Sequence, residues 1–219
     1  MNRILAATKL DFHSSVSGLR TAVLAFLIPV VIGAAVQNPS ITMVFVMVFA
    51  TYLAGFVFSV QEKNHMDKLY GILPLKKTEM IAGRYLYALI IGIVCILIAL
   101  VLSVLINVFF RLKFDPFSFW VIFALAFLYY GFAAGVSFPV YLKFSFTKAY
   151  VFTMIPIYIV LFVVVLLLKT KGFTDHLGRV IDFFTSNIYL VPVIGIIGGI
   201  VFLTASAMIS NVIYTRKEF

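Results

Sequence analysis

Charge is scarce in this chain. Of its 219 residues, 11% are Asp, Glu, Lys or Arg, against about 25% in an ordinary soluble domain. Acidic side chains are the scarcer kind, 8 against 17 basic ones. The single cysteine, Cys95, excludes a disulfide framework and a cysteine-rich metal site. His13, His65 and His176 sit in three separate segments outside the long apolar runs, without the close spacing that metal ligands need. There is no Gly-x4-Gly-Lys-Ser/Thr loop to cradle phosphates, so ATP hydrolysis by that means is excluded. What the chain has instead is apolar surface: 63% hydrophobic residues and a mean hydropathy of +1.14. That leaves too little polar surface to coat a globule in water. A soluble enzyme, a disordered tail and a nucleic-acid-binding domain are all excluded, even though the net charge is +9. The class is an integral membrane protein, and its basic excess is to be read against a bilayer.

A hydrocarbon core of about 30 Å takes about 20 apolar residues of helix to cross. Six runs approach or exceed that length: 19–36, 41–60, 85–110, 117–142, 149–168 and 188–213. They are continuous rather than alternating, which fits helices and not a β-barrel. The expected fold is therefore all-α, a single transmembrane domain over 1–219 with six spans. The first run is the shortest, and it contains Arg20, Pro29 and Gly33. No cleavable signal peptide is expected, because the first apolar run starts late and is too long for a signal core.

Lys and Arg in the loops set the direction. With the N-terminus inside, twelve fall in inner segments, among them Arg3, Lys63, Lys68, Lys76, Lys77 and Arg84. Five fall outside: Arg111, Lys113, Lys169, Lys171 and Arg179. Both termini are thus expected in the cytoplasm. Over residues 1–18, Leu5, Phe12 and Val16 form an apolar stripe that continues to Leu19, bordered by Lys9 and His13. Long basic side chains there can snorkel to lipid phosphates. This predicts an amphipathic helix along the inner leaflet. In the outer loop, 169–187, Phe173, Leu177, Ile181 and Phe184 have the spacing of a short helix on the outer face.

Five of the six runs contain no Asp, Glu, Lys, Arg or His, and the first has only Arg20 at its inner edge. Proton-driven transport normally uses a titratable group inside the membrane, and none is available here. Sodium coupling through backbone carbonyls of broken helices is not excluded by this. Gly131 and Gly135, like Gly195 and Gly199, are four residues apart, a spacing that lets helix backbones touch. Packing within one subunit and dimerisation explain that spacing equally well.

The most informative stretch lies between the second and third runs, from Gln61 to Leu86. Met66, Leu69, Tyr70 and Leu73 follow the i, i+3, i+4, i+7 pattern of an amphipathic helix, limited by Gly71 and Pro74. A Glu62-Lys63 pair is followed by Asp67-Lys68-Leu69-Tyr70. Then come Leu73-Pro74-Leu75-Lys76-Lys77-Thr78-Glu79-Met80-Ile81 and Gly83-Arg84-Tyr85-Leu86. This sequence resembles the coupling segment of the permease subunits of ABC-2 type ABC transporters. Within that family it looks most like the small bacterial permeases related to exporters of phenol-soluble modulins, which are amphipathic peptide toxins. One departure is Lys76, which stands where Ser or Thr is common, so the cap of the next helix is expected to be lost or moved to Thr78.

The resemblance implies a coupling helix within 61–84 that docks on a separate ATP-binding subunit. The residues it implicates are Glu62, Lys63, Asp67, Lys68, Leu69 and Tyr70, with Pro74 and Leu75 as the turn. Leu69 and Tyr70 would anchor in an apolar cleft while the charges fix register. It further implies a second permease, identical or homologous, in a bacterial plasma membrane, and a chain that is not itself an enzyme and holds no cofactor. The residues leave two other readings open. One is a secondary transporter or channel, the other a membrane scaffold or immunity protein that moves nothing.

Overall fold

The computed structural model describes residues 2–64, 66, 75–112, 116–156, 158–159 and 189–215. The described residues are almost all helical, with no strand among them. The helices are α1 (Asn2–Ala25), α2 (Leu27–Val36), α3 (Pro39–Lys63), α4 (Lys77–Phe110), α5 (Pro116–Lys143), α6 (Phe146–Thr153) and α7 (Leu190–Thr215). Four of them are long and apolar enough to cross a membrane: Pro39–Lys63, Lys77–Phe110, Phe119–Lys143 and Leu190–Thr215. They contain most of the second, third, fourth and sixth apolar runs. Half of the fifth run, and the whole outer loop 169–187, lie outside the described residues.

The first apolar run is organised differently from expectation. The N-terminal helix does not stop at residue 18; it runs on to Ala25 and breaks at Phe26. Pro29 explains the position of the break. It has no N–H to give the carbonyl four residues back, Ala25, and its ring crowds that carbonyl. The next helix, α2, has 10 residues, a length of about 15 Å, about half the hydrocarbon thickness. It ends at Gln37 in the left-handed conformation (φ 52°). There the Asn38 N–H reaches the Gly33 carbonyl at 3.0 Å and the Gln37 N–H reaches that of Ala34 at 3.1 Å, the double closure that terminates many helices. Asn38 then starts α3, its side-chain oxygen accepting the Ser40 N–H at 3.0 Å, with Pro39 in the first turn.

At 34 residues, α4 is about 51 Å long and must project beyond the hydrocarbon. Of the two outcomes expected for its cap, the side-chain cap is lost rather than moved. The helix begins at Lys77 with Lys76 as the capping residue, not Thr78. A hydroxyl is not needed, because the Glu79 carboxylate reaches back to accept the Lys76 N–H at 2.9 Å, one half of a capping box.

The core forms where α3, α4 and α5 meet, around Met43, Val46, Met47, Ala50, Tyr87 and Tyr130. The Tyr130 hydroxyl donates to the Ala88 carbonyl. On the other side of α5 lies α7. Here a Cβ on Gly131 would stand 2.6 Å from the Gly199 Cα, and one on Gly195 would stand 2.9 Å from the Ala124 Cβ. The two glycine pairs therefore pack α5 on α7 within one subunit. Pro139, inside α5, leaves the Gly135 carbonyl without its helical donor, and the Ser206 hydroxyl of α7 supplies one at 2.6 Å.

The end of α3, the starts of α4 and α6, and the ends of α5 and α7 gather at one end of the bundle. Lys63, Lys76, Lys77, Arg84, Lys143 and Lys148 belong to these segments, so we call it the basic end. The first half of α1 lies across it, packed on α3 and α4.

Candidate functional site at the basic end

Of the eight coupling residues expected from sequence, Glu62, Lys63 and Leu75 lie among the described residues. Asp67, Lys68, Leu69, Tyr70 and Pro74 lie outside them. Lys63 is exposed in the last turn of α3, where a cation complements the helix dipole. Leu75 packs half-buried against the core, as does Met66. Each edge of the loop thus holds an apolar side chain against the bundle, at 66 and again at 75.

Glu62 faces inward along the surface to α6. One carboxylate oxygen accepts the Thr147 N–H at 3.0 Å and the other the Thr147 hydroxyl at 3.0 Å. Thr147 is the second residue of α6, so the carboxylate sits at the positive end of that helix, satisfying a donor the helix itself cannot. The contact ties the end of α3 to the connection between α5 and α6.

The chemistry that sequence reading passed over lies one residue earlier. Gln61 on α3, Arg84 on α4 and Asp11 on α1 are buried together, 4%, 4% and 2% exposed. The Arg84 guanidinium donates to the Gln61 side-chain oxygen at 2.7 Å, and its Nε lies 4.0 Å from Asp11 Oδ2. The Gln61 amide donates to Asp11 Oδ1 at 3.4 Å. Phe58 and Tyr214 present their rings to the guanidinium carbon at 5.1 and 5.9 Å, within reach of cation–π attraction. One signal was in the sequence: Asp11 is the sole acidic residue before Glu62, set in an otherwise basic, apolar helix.

The burial of Asp11 shows which face of the first helix meets the protein. Ala7, Thr8, Asp11 and Ser15 are buried; they recur at the i, i+4, i+8 spacing of one helical stripe. Leu5 and Val16, from the apolar stripe, are 45% and 40% exposed. Phe12 alone of that stripe's described side chains packs inward, edge-on to Tyr87 at 4.7 Å. The helix thus gives its small and polar face to the protein and leaves much of its apolar face uncovered.

The neighbours of Arg84 complete a junction. A Cβ at Gly83 would lie 2.6 Å from that of Ala7, so only glycine admits α1 this closely, and the Thr8 hydroxyl donates to the Gly83 carbonyl at 3.1 Å. The Tyr85 hydroxyl is within hydrogen-bonding distance of Ser206 and Ser210 on α7, at 2.6 and 2.7 Å. Three consecutive residues of α4 therefore contact α1, then α1, α3 and α7, then α7. Beside this junction lies a cavity of about 220 Å³ lined by Phe58, Gln61, Glu62, Arg84, Tyr141 and Phe146, among others. No group of His, Cys, Asp and Glu suited to a metal ion occurs among the described residues.

Comparison with known proteins agrees with this architecture. The family model described as ABC-2 family transporter protein matches residues 9–215. No curated protein and no solved structure matches the chain.

Proposed function

This chain belongs to the ABC-2 family of transporters, as a membrane permease subunit, and from that premise we propose that it serves an exporter powered by a separate ATPase docked on residues 61–84. The cargo under this reading is amphipathic or hydrophobic, a cationic amphipathic peptide being the first to test. Support for the docking site comes from one observation above all. The two helices that enter and leave the loop, α3 and α4, are joined directly beneath it by the Gln61–Arg84 bond. A load applied to the loop therefore reaches both helices together. None of the five apolar runs from residue 41 onward contains Asp, Glu, Lys, Arg or His, which supports an external energy source over a proton gradient. The 36 aromatic side chains, 24 Phe, 11 Tyr and 1 Trp, suit an apolar cargo.

The reading is tested at the apolar anchors of the loop. Leu69→Glu and Tyr70→Ala are each expected to reduce co-purification of the ATPase, or its transport-stimulated hydrolysis, while the permease still inserts and folds. Buried interface anchors of this kind typically contribute about 2 kcal/mol or more, a loss of roughly 30-fold in affinity. Normal co-purification and normal transport in both variants would remove the loop from the docking site.

A further inference from the structure

We propose that the cavity at the basic end binds the headgroup of a membrane phospholipid carrying a primary ammonium, of the phosphoethanolamine type. Such a lipid is a resident of the permease rather than its cargo, and its site does not depend on the energy source. Glu62 and Arg84, one acidic and one basic side chain, line the same space of about 220 Å³. Arg84 is almost fully buried, so its charge belongs to the interior of the site and not to the protein surface. The Glu62 carboxylate accepts one bond on each oxygen from Thr147, and a carboxylate offers about four acceptor positions. Each oxygen therefore keeps a lone pair for an ammonium N–H. The guanidinium has the planar fork that suits a phosphate, and Lys143, exposed beside the Phe144 ring, adds a second cation at the mouth. A headgroup with an ammonium at one end and a phosphate at the other complements both charges. A headgroup of a single sign meets a like charge in the wall.

Size decides how much of the ligand enters. A cavity of about 150 Å³ accommodates benzene, whereas drug-sized ligands occupy about 300 Å³ or more. At about 220 Å³ the site takes a group of roughly eight non-hydrogen atoms, the size of phosphoethanolamine, and leaves the rest of the molecule outside. Outside lies a surface for acyl chains. Phe144 and Ser145 at the mouth are exposed, and Phe144 stacks on Phe152 at 6.4 Å. Phe152, Ile155 and Ile159 are exposed in turn and recur at helical spacing, so the apolar surface continues away from the mouth. Lys63, Lys143 and Lys148 are exposed around this end, where basic side chains meet lipid phosphates. On the inside, Tyr141 and Phe146 stack at 4.9 Å and offer an aromatic wall to the ammonium and its methylenes.

The full chain in mild detergent is to be titrated with dioleoyl phosphatidylethanolamine, phosphatidylglycerol or phosphatidylcholine, and bound lipid read by native mass spectrometry. Phosphatidylglycerol lacks the ammonium, and phosphatidylcholine lacks its N–H donors. A hydrogen bond to a charged group changes affinity by about tenfold or more, so one phosphatidylethanolamine should bind at about a tenth of the concentration the others need. Ser145→Trp closes the mouth, and since the Ser145 side chain makes no capping bond, α6 loses none. That variant should lose the preference. Equal retention of the three lipids, a preference for either of the others, or the parent's preference kept in Ser145→Trp overturns the proposal. Displacement of the bound lipid by free O-phosphoethanolamine at equal concentration also overturns it, because the site would then serve a soluble ligand. If Ser145→Trp does not fold, amide exchange of the parent in nanodiscs decides. Adding phosphatidylethanolamine to phosphatidylcholine discs should slow exchange over residues 143–149, and adding phosphatidylglycerol should not. The same exchange there in all discs overturns the proposal.

Discussion

Arg84 is the residue on which most of the basic end depends. It lies next to the third span by sequence position, yet its guanidinium is held by an amide, a carboxylate and two aromatic faces. Each of these offsets part of the desolvation that burial imposes on a cation. The arrangement makes the loss of one partner worse than the loss of both. Asp11→Ala should destabilise the detergent-solubilised permease by about 3–5 kcal/mol, because Arg84 remains buried without its anion. Asp11→Asn/Arg84→Gln should cost clearly less. Thermal unfolding followed by tryptophan or dye fluorescence measures both; equal losses would mean that the cluster contributes by packing alone.

At the scale of elements, the connections matter more than the helices. The Glu62 carboxylate bonds α3 to the start of α6. Glu62→Gln keeps an acceptor but removes the charge at the α6 N-terminus, an effect of about 0.3–1 kcal/mol. Faster amide exchange confined to Thr147–Thr153 is the expected outcome, and protection unchanged there would show that α6 needs no charged cap. The direction of the bundle is a second property of its connections. If the basic end faces the cytoplasm, the direction expected from loop charge, a cysteine at Lys63 reacts with a membrane-impermeant maleimide only in inside-out vesicles. One at Tyr189, exposed at the opposite end, reacts only in intact cells. The reverse labelling would overturn the orientation.

For the whole molecule, the question is the source of energy. In liposomes holding the permease alone, a pH gradient should drive no uptake or release of a fluorescent cationic amphipathic peptide, since no titratable carrier sits inside the apolar runs. Adding the ATPase subunit with Mg-ATP should start movement, and an ATPase unable to hydrolyse ATP should not. Gradient-driven transport by the permease alone would sink the proposed mechanism.

The class of the protein, its long helices and a docking site to propose were all legible in the amino-acid order. Hydropathy acts locally: each run of about 20 apolar residues must be helical in lipid whatever its neighbours do. That is why the second, third, fourth and sixth runs reappear as α3, α4, α5 and α7. Composition is a poorer guide where length is marginal. Residues 19–36 read as a span, but Pro29 divides them between the end of α1 and a 10-residue α2. Lys76 lacks a capping hydroxyl, and the helix nevertheless starts there because Glu79 reaches back to it. Which surfaces meet became visible in three dimensions alone. The glycine pairs at 131 and 195 carry no label of their partner, and they pack on each other because α5 and α7 lie side by side. In sequence, Asp11 is a stray charge on an amphipathic helix, and Arg84 is a loop charge that sets topology. Their 73-residue separation hides an ion pair that exists only where α1 crosses α4. A side chain's water or lipid preference is its own, whereas a buried charge takes its meaning from the partner the fold brings to it.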